Sequence, residues 1–182
     1  MDFRRLSLLA LIAGASCTFA APQRVALYAA NGPELSTYSA DVDGMSLTKH
    51  ATVRLPQNVQ EAWPHPSRRY LYVAWSNNQK GAPGRHGVTA SRIDPSTGTL
   101  QPHGQPITVA ARSVFITVDK PGKFLIVAYN DPSGVTVHKI QPDGTLGAPV
   151  PQPAGLDFGI YAHQVRVDPT GHGLHKLHSH RS

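Results

Sequence analysis

The 182 residues carry a formal net charge of +6, one cysteine, sixteen prolines and sixteen glycines. A lone cysteine, Cys17, excludes an internal disulfide. The basic residues are scattered along the chain (Arg54, Arg69, Lys80, Arg92, Arg112, Lys139), which excludes the aromatic-interleaved basic stripe of a nucleic-acid binder. Many turn formers and little helical patterning point instead to short strands joined by turns.

In chain order, residues 1–20 come first as a signal peptide: Arg4-Arg5, an apolar run from Leu6 to Ala15, and the small-x-small site Thr18-Phe19-Ala20. The run is short for a bilayer span, so the expected outcome is export to the periplasm or beyond. Gly14-Ala15-Ser16-Cys17 offers a weaker alternative, a lipid anchor at Cys17 and the one membrane attachment considered. The folded domain is then expected over residues 21–171.

Strands are predicted at RVALYAAN (24–31), ELSTYSAD (34–41) and DGMSL (43–47). A second unit follows: EAWPHPSRRYLYVAWSN (61–77) with its turn at Pro66-Ser67, then GVTASRID (87–94) and TLQPHGQPITV (99–109). The third is the clearest. VFITVD (114–119) leads through Lys120-Pro121-Gly122-Lys123 into FLIVAYN (124–130), then VTVHKIQ (135–141) and the weak TLGAPV (145–150). Pro-Gly supplies both the fixed and the positive dihedral such a turn needs. FLIVAYN and YLYVAWSN are almost continuously apolar, as strands packed on both faces are. HQVRVDPTG (163–171) begins the pattern again, and HGLHKLHSHRS (172–182) stands where an apolar strand is expected.

Repetition at roughly 50 residues marks a repeat architecture. Four-stranded antiparallel units repeated radially are the blades of a β-propeller, so the fold class is all-β, with about three blades present. A sandwich is the structural rival, and the matched turns in successive units favour the propeller.

With its units aligned, the chain resembles the N-terminal part of the seven-bladed lactonase propellers of the 6-phosphogluconolactonase type. The segments that carry the resemblance are AWPHPSRRYLYVAWSN (62–77), VTASRIDPSTGTL (88–100), ITVDKPGKFLIVAYNDPSGVTVHKIQPDGT (116–145) and QPAGLDFGIYAHQVRVDPTG (152–171). The resemblance implies a chain about twice as long, with roughly three of seven blades present here and a monomeric full-length protein. The expectation is therefore a truncated, inactive fragment, with a frame shift near Gly171 and a non-family tail over 172–182. A native His-rich metal tail and an expression scar are the rivals. A metal role is disfavoured because a free tail lacks fixed geometry.

The implied activity is hydrolysis of a sugar-acid lactone, with a small-molecule lactone as the partner and no cofactor or metal. Such hydrolysis needs an activated water and a donor or cation for the developing oxyanion. No Gly-x-Ser-x-Gly elbow or His-Glu-x-x-His helix offers another route. His163 opens the first strand of its unit, beside the channel of a propeller, and is the catalytic candidate as general base. The resemblance points the same way. Tyr161, Arg166 and Arg112 are the substrate-binding candidates, although His163 and Arg166 should face opposite sides of one regular strand. Where the family often presents a His in the preceding blade, this chain has Phe115. An export signal fits poorly with a cytoplasmic phosphosugar, so an extracytoplasmic lactone is an equal expectation. The competing expectation is an exported propeller that binds a ligand or protein without catalysis.

Overall fold

The computed structural model describes residues 24–77, 84–168, 170 and 174–178. The segment expected as a signal peptide, Cys17 and the rest of the His-rich tail lie outside them. Every regular element among the described residues is a β-strand. Strands β1 (Arg24–Asn31), β2 (Glu34–Asp41) and β3 (Ser46–Arg54) form a sheet in that order. A second sheet runs β4 (Asn58–Pro64), β5 (Tyr70–Ser76), β6 (His86–Ile93), β7 (Leu100–Pro102), with β8 (Ile107–Thr108) also on β6. A third runs β9 (Ser113–Val118), β10 (Phe124–Asn130), β11 (Ser133–Ile140), β12 (Leu146–Pro149). β13 (Ala162–Val167) pairs with β14 (Leu174–His178), and every pairing in the four sheets is antiparallel.

The apolar runs explain how the sheets stack. Successive side chains of a strand point to opposite faces. Tyr70, Tyr72 and Ala74 of β5 therefore enter one cluster with Ile116, Leu125 and Val127 of the third sheet. Leu71, Val73 and Trp75 enter another with Leu35 of the first sheet. β10 does the same, sending Leu125, Val127 and Tyr129 one way and Ile126 and Ala128 toward Phe115 and Val165. Sheets buried on both faces are what the continuous runs predict.

The recurrent Asp-led turns also have a physical cause. Asp119 Oδ1 accepts from the backbone N–H groups of Lys123 and Phe124, at 2.7 and 2.8 Å. Asp143 accepts from Thr145 N, and Asp168 from Thr170 N. Asp94 accepts from the hydroxyl of Ser96 and the N–H of Thr97, which with their neighbouring donors hold its carboxyl at about 2. At Gly144 the backbone has φ +88°, and a Cβ there would lie 2.4 Å from the Tyr70 ring. The Tyr72 hydroxyl donates to the Gly144 carbonyl at 3.0 Å. Gly144→Ala is expected to cost about 2–4 kcal/mol, from left-handed strain plus overpacking, read as a lower urea midpoint. An unchanged midpoint would mean this turn does not dock on the second sheet.

Four expectations are corrected by the pairing pattern. The first sheet has three described strands rather than four. β1 to β3 correspond in order to β10 to β12, as Asn31-Gly32-Pro33 and Asn130-Asp131-Pro132 at matching turns indicate. The place beside β1 that β4 and β9 hold in their own sheets is an apolar groove of about 760 Å³, lined by Val25, Tyr28, Leu35 and Ala62 among others. β3 runs on to Arg54 because an outer, largely exposed strand needs no apolar alternation. The 99–109 segment splits into β7 and β8 around Pro102 and Pro106, which lack the N–H a continuous ladder requires. β14 forms inside the His-rich segment, where no strand was expected, because ladder pairing to β13 uses backbone groups alone.

A buried polar chain links two strands of the third sheet. The Tyr129 hydroxyl meets Thr136 Oγ1 at 2.7 Å, and Thr136 Oγ1 meets His138 Nε2 at 3.2 Å. His138 is 4% exposed, and burial lowers its pKa. The unfolded chain then binds more protons than the native one as pH falls below the ordinary histidine range near 6.5. Stability from this group is complete above that value and declines as pH falls toward the native-state pKa. His138→Gln should flatten the loss of stability between neutral and mildly acidic pH, measured by urea unfolding. An unaltered slope would remove His138 from the acid response.

Candidate functional site

β4, β9 and β13 are the end strands of their sheets, and β9 packs between the other two. Their ladders share one irregularity. Val59 faces Trp75 and Glu61 faces Ala74, so Gln60 is skipped. Ser113 faces Tyr129 and Phe115 faces Ala128, so Val114 is skipped. Ala162 faces His178 and Gln164 faces Leu177, so His163 is skipped. The far ends stay in matching register, Pro64 with Leu71, Val118 with Leu125 and Val167 with Leu174. Gln60, Val114 and His163 are thus equivalent positions on three successive sheets. A bulge of this kind re-aims a side chain and recurs beside active sites.

Counting back two residues makes Asn58, Arg112 and Tyr161 equivalent as well. The Arg112 Nε–H donates to Gln60 Oε1 at 2.8 Å, tying the bulged ends of β4 and β9 together. The Arg112 charge also acts on His86, whose pKa is lowered first by burial and then by this cation. His86 Nδ1 lies 2.7 Å from Ser76 Oγ. Tyr161 holds a left-handed φ of +54° with 48% of its surface exposed, and His163 is exposed. Ser113, beside Arg112, is fully buried with no hydrogen-bond partner at its hydroxyl among the described residues.

The register therefore places His163 in the bulge of β13, Tyr161 two residues before it, and Arg112 at the equivalent place before β9. Arg166 is engaged elsewhere, with its guanidinium 5.9 Å from the centroid of the Phe115 ring. Phe115 in turn meets Trp63 at 5.6 Å. The register places Val114, not Phe115, at the position equivalent to His163, since each lies four residues before the valine that pairs with Leu125 or Leu174. Gln60 was not anticipated. Only its skipped place in the ladder marks it, and that is invisible until strands are paired. Among the described residues, no three His, Cys, Asp or Glu side chains are grouped to hold a metal ion. An imidazole, a guanidinium and a phenol at one rim can supply a base toward water, a cation toward an oxyanion, and a hydrogen-bond donor.

Comparison with known proteins gives a consistent result. The family model described as lactonase, seven-bladed β-propeller, matches residues 22–176. A curated 6-phosphogluconolactonase of Serratia proteamaculans is 31% identical over 128 residues, covering 70% of this chain and 35% of its own length. One of Pectobacterium atrosepticum is 31% identical over 125 residues, covering 69% and 34%. The chain thus spans about a third of the length of these relatives. Among solved structures, a Pseudomonas aeruginosa periplasmic gluconolactonase has a TM-score of 0.65 at 21% identity, covering 84% of this chain and 46% of the other. A Lactobacillus plantarum protein has a TM-score of 0.69 at 16% identity, covering 86% and 45%. These two likenesses speak to fold.

Proposed function

We propose that this chain, which belongs to the family of seven-bladed β-propeller lactonases, is part of an enzyme that hydrolyses the cyclic ester of a sugar acid. The observation that carries the reading is the shared bulge of the inner strands, with His163 exposed at one of its three places. In this reading His163 takes a proton from water as the oxygen attacks the lactone carbonyl. Arg112 and the Tyr161 hydroxyl stabilise the oxyanion, which collapses with cleavage of the ring C–O bond as His163 returns its proton to the leaving ring oxygen, giving the hydroxy acid. Arg166 is assigned to the joint between sheets through Phe115 rather than to substrate. The curated relatives named 6-phosphogluconolactonase support the substrate class.

Residues 1–20 read as an export signal, and we assign the reaction to an extracytoplasmic lactone. Activity is assigned to a closed ring. β1 leaves Val25 and Leu27 exposed at 44% and 41%, beside the apolar groove. Apolar faces and open strand edges of that kind favour association rather than a defined channel. The 182-residue chain alone is therefore expected to hydrolyse no lactone. The test is hydrolysis of gluconolactone and its 6-phosphate by the chain alone and by the same blades continued into a full ring. No rate above buffer from the full ring would overturn the enzymatic reading in favour of an exported binding module.

A further inference from the structure

A second concavity lies at the opposite end of β4 from the bulged rim, between the first and second sheets. It measures about 550 Å³, within the range of small-ligand sites. Arg68 and Arg69, from the turn entering β5, and Arg92, near the end of β6, all line it. None forms an ion pair: the one salt bridge among the described residues joins Arg54 and Glu34 on the first sheet. The wall holds a single carboxylate, Asp94, and its Oδ1 already accepts from Ser96 and Thr97. Its charge is thus committed to the turn, and the wall keeps an excess of positive charge.

Like charges gathered in one concave wall repel each other, and such a wall focuses its field on an anion entering it. Arg68 is held there in a left-handed conformation, φ +57°, with its N–H bonded to the His65 carbonyl at 2.8 Å. The sides add the hydroxyls of Ser39 and Ser67 and the ring of His50, whose Nε2 lies 2.9 Å from Ser39 Oγ. Guanidinium forks match the paired oxygens of phosphate and carboxylate groups. Hydroxyls suit the hydroxyl groups of a polyol.

We infer that this cavity binds a small polyol carrying an oxyanion, either a phosphate ester or a carboxylate. The inference does not rest on the hydrolysis reading, because the site is remote from the rim and its test is binding. The 182-residue chain is titrated calorimetrically with glycerol 3-phosphate, inorganic phosphate and gluconate. Saturable binding that weakens with added salt is expected for at least one of them. The phosphate and gluconate arms identify which oxyanion is read. The double variant R69Q/R92Q should weaken that binding at least about tenfold, since each guanidinium supplies charge-assisted hydrogen bonds. R54Q, outside the cavity, should leave it unchanged. If the double variant loses its circular-dichroism strand signal, R92Q alone takes its place, with a smaller loss expected. No saturable binding of any probe, equal weakening in R54Q, or indifference to both R69Q/R92Q and R92Q would each overturn the site.

Discussion

Replacing Phe115 by alanine is expected to cost about 3–5 kcal/mol of stability, the usual range for emptying a buried aromatic site. Phe115 is 8% exposed and belongs to the cluster of Ile126, Ala128 and Val165 that joins the third sheet to β13. Its ring is engaged from both neighbouring inner strands, by Trp63 of β4 at 5.6 Å and by the Arg166 guanidinium of β13 at 5.9 Å. Removing the ring therefore empties a joint that three sheets share, and little nearby can collapse into the space. Urea unfolding of Phe115→Ala measures the loss. A cycle with Arg166→Ala should reveal a coupling of about 0.5–1 kcal/mol, the size of an exposed cation–π contact. A loss under about 1 kcal/mol would be too small for a packed aromatic and would mean the β9–β13 joint is open in solution.

The same joint shows where sequence reading succeeds and where it stops. FLIVAYN announces a strand buried on both faces, because six consecutive apolar residues have no other use in a chain of short strands. Its residues do divide between two clusters. The turns at Asp94, Asp119 and Asp143 are equally local, each set by one carboxylate and the N–H groups two to five residues on. Arg166 is different. Its spacing from His163 places it on β13, but its partner Phe115 lies on another sheet, 51 residues away by numbering. The bulges are non-local in the same sense. Val114 and Gln60 carry no signal of their own: that they and His163 are the skipped residues of their ladders appears only once strands are paired. β14 was missed for the opposite reason: its composition argues against a strand, while the free edge of β13 decides for one.

His163→Ala is expected to lower kcat for lactone hydrolysis in the closed ring by about 10²–10⁴, the contribution of a positioned general base. The side chain is exposed at a bulge, so its removal should alter stability by no more than about 0.5 kcal/mol. That separation makes the experiment decisive: a fall in rate without a fall in the urea midpoint assigns chemistry rather than folding. The split between constants is also informative. If His163 acts only as the transition state forms, kcat falls and KM stays nearly constant. Arg112→Gln should behave otherwise, because its guanidinium also ties Gln60 to the rim at 2.8 Å. It removes an oxyanion partner and loosens two inner strands, so both constants should worsen. A His163→Ala enzyme with undiminished kcat would remove the base from the mechanism. The bulge would then stand as a feature of ring geometry, repeated on three strands for packing alone.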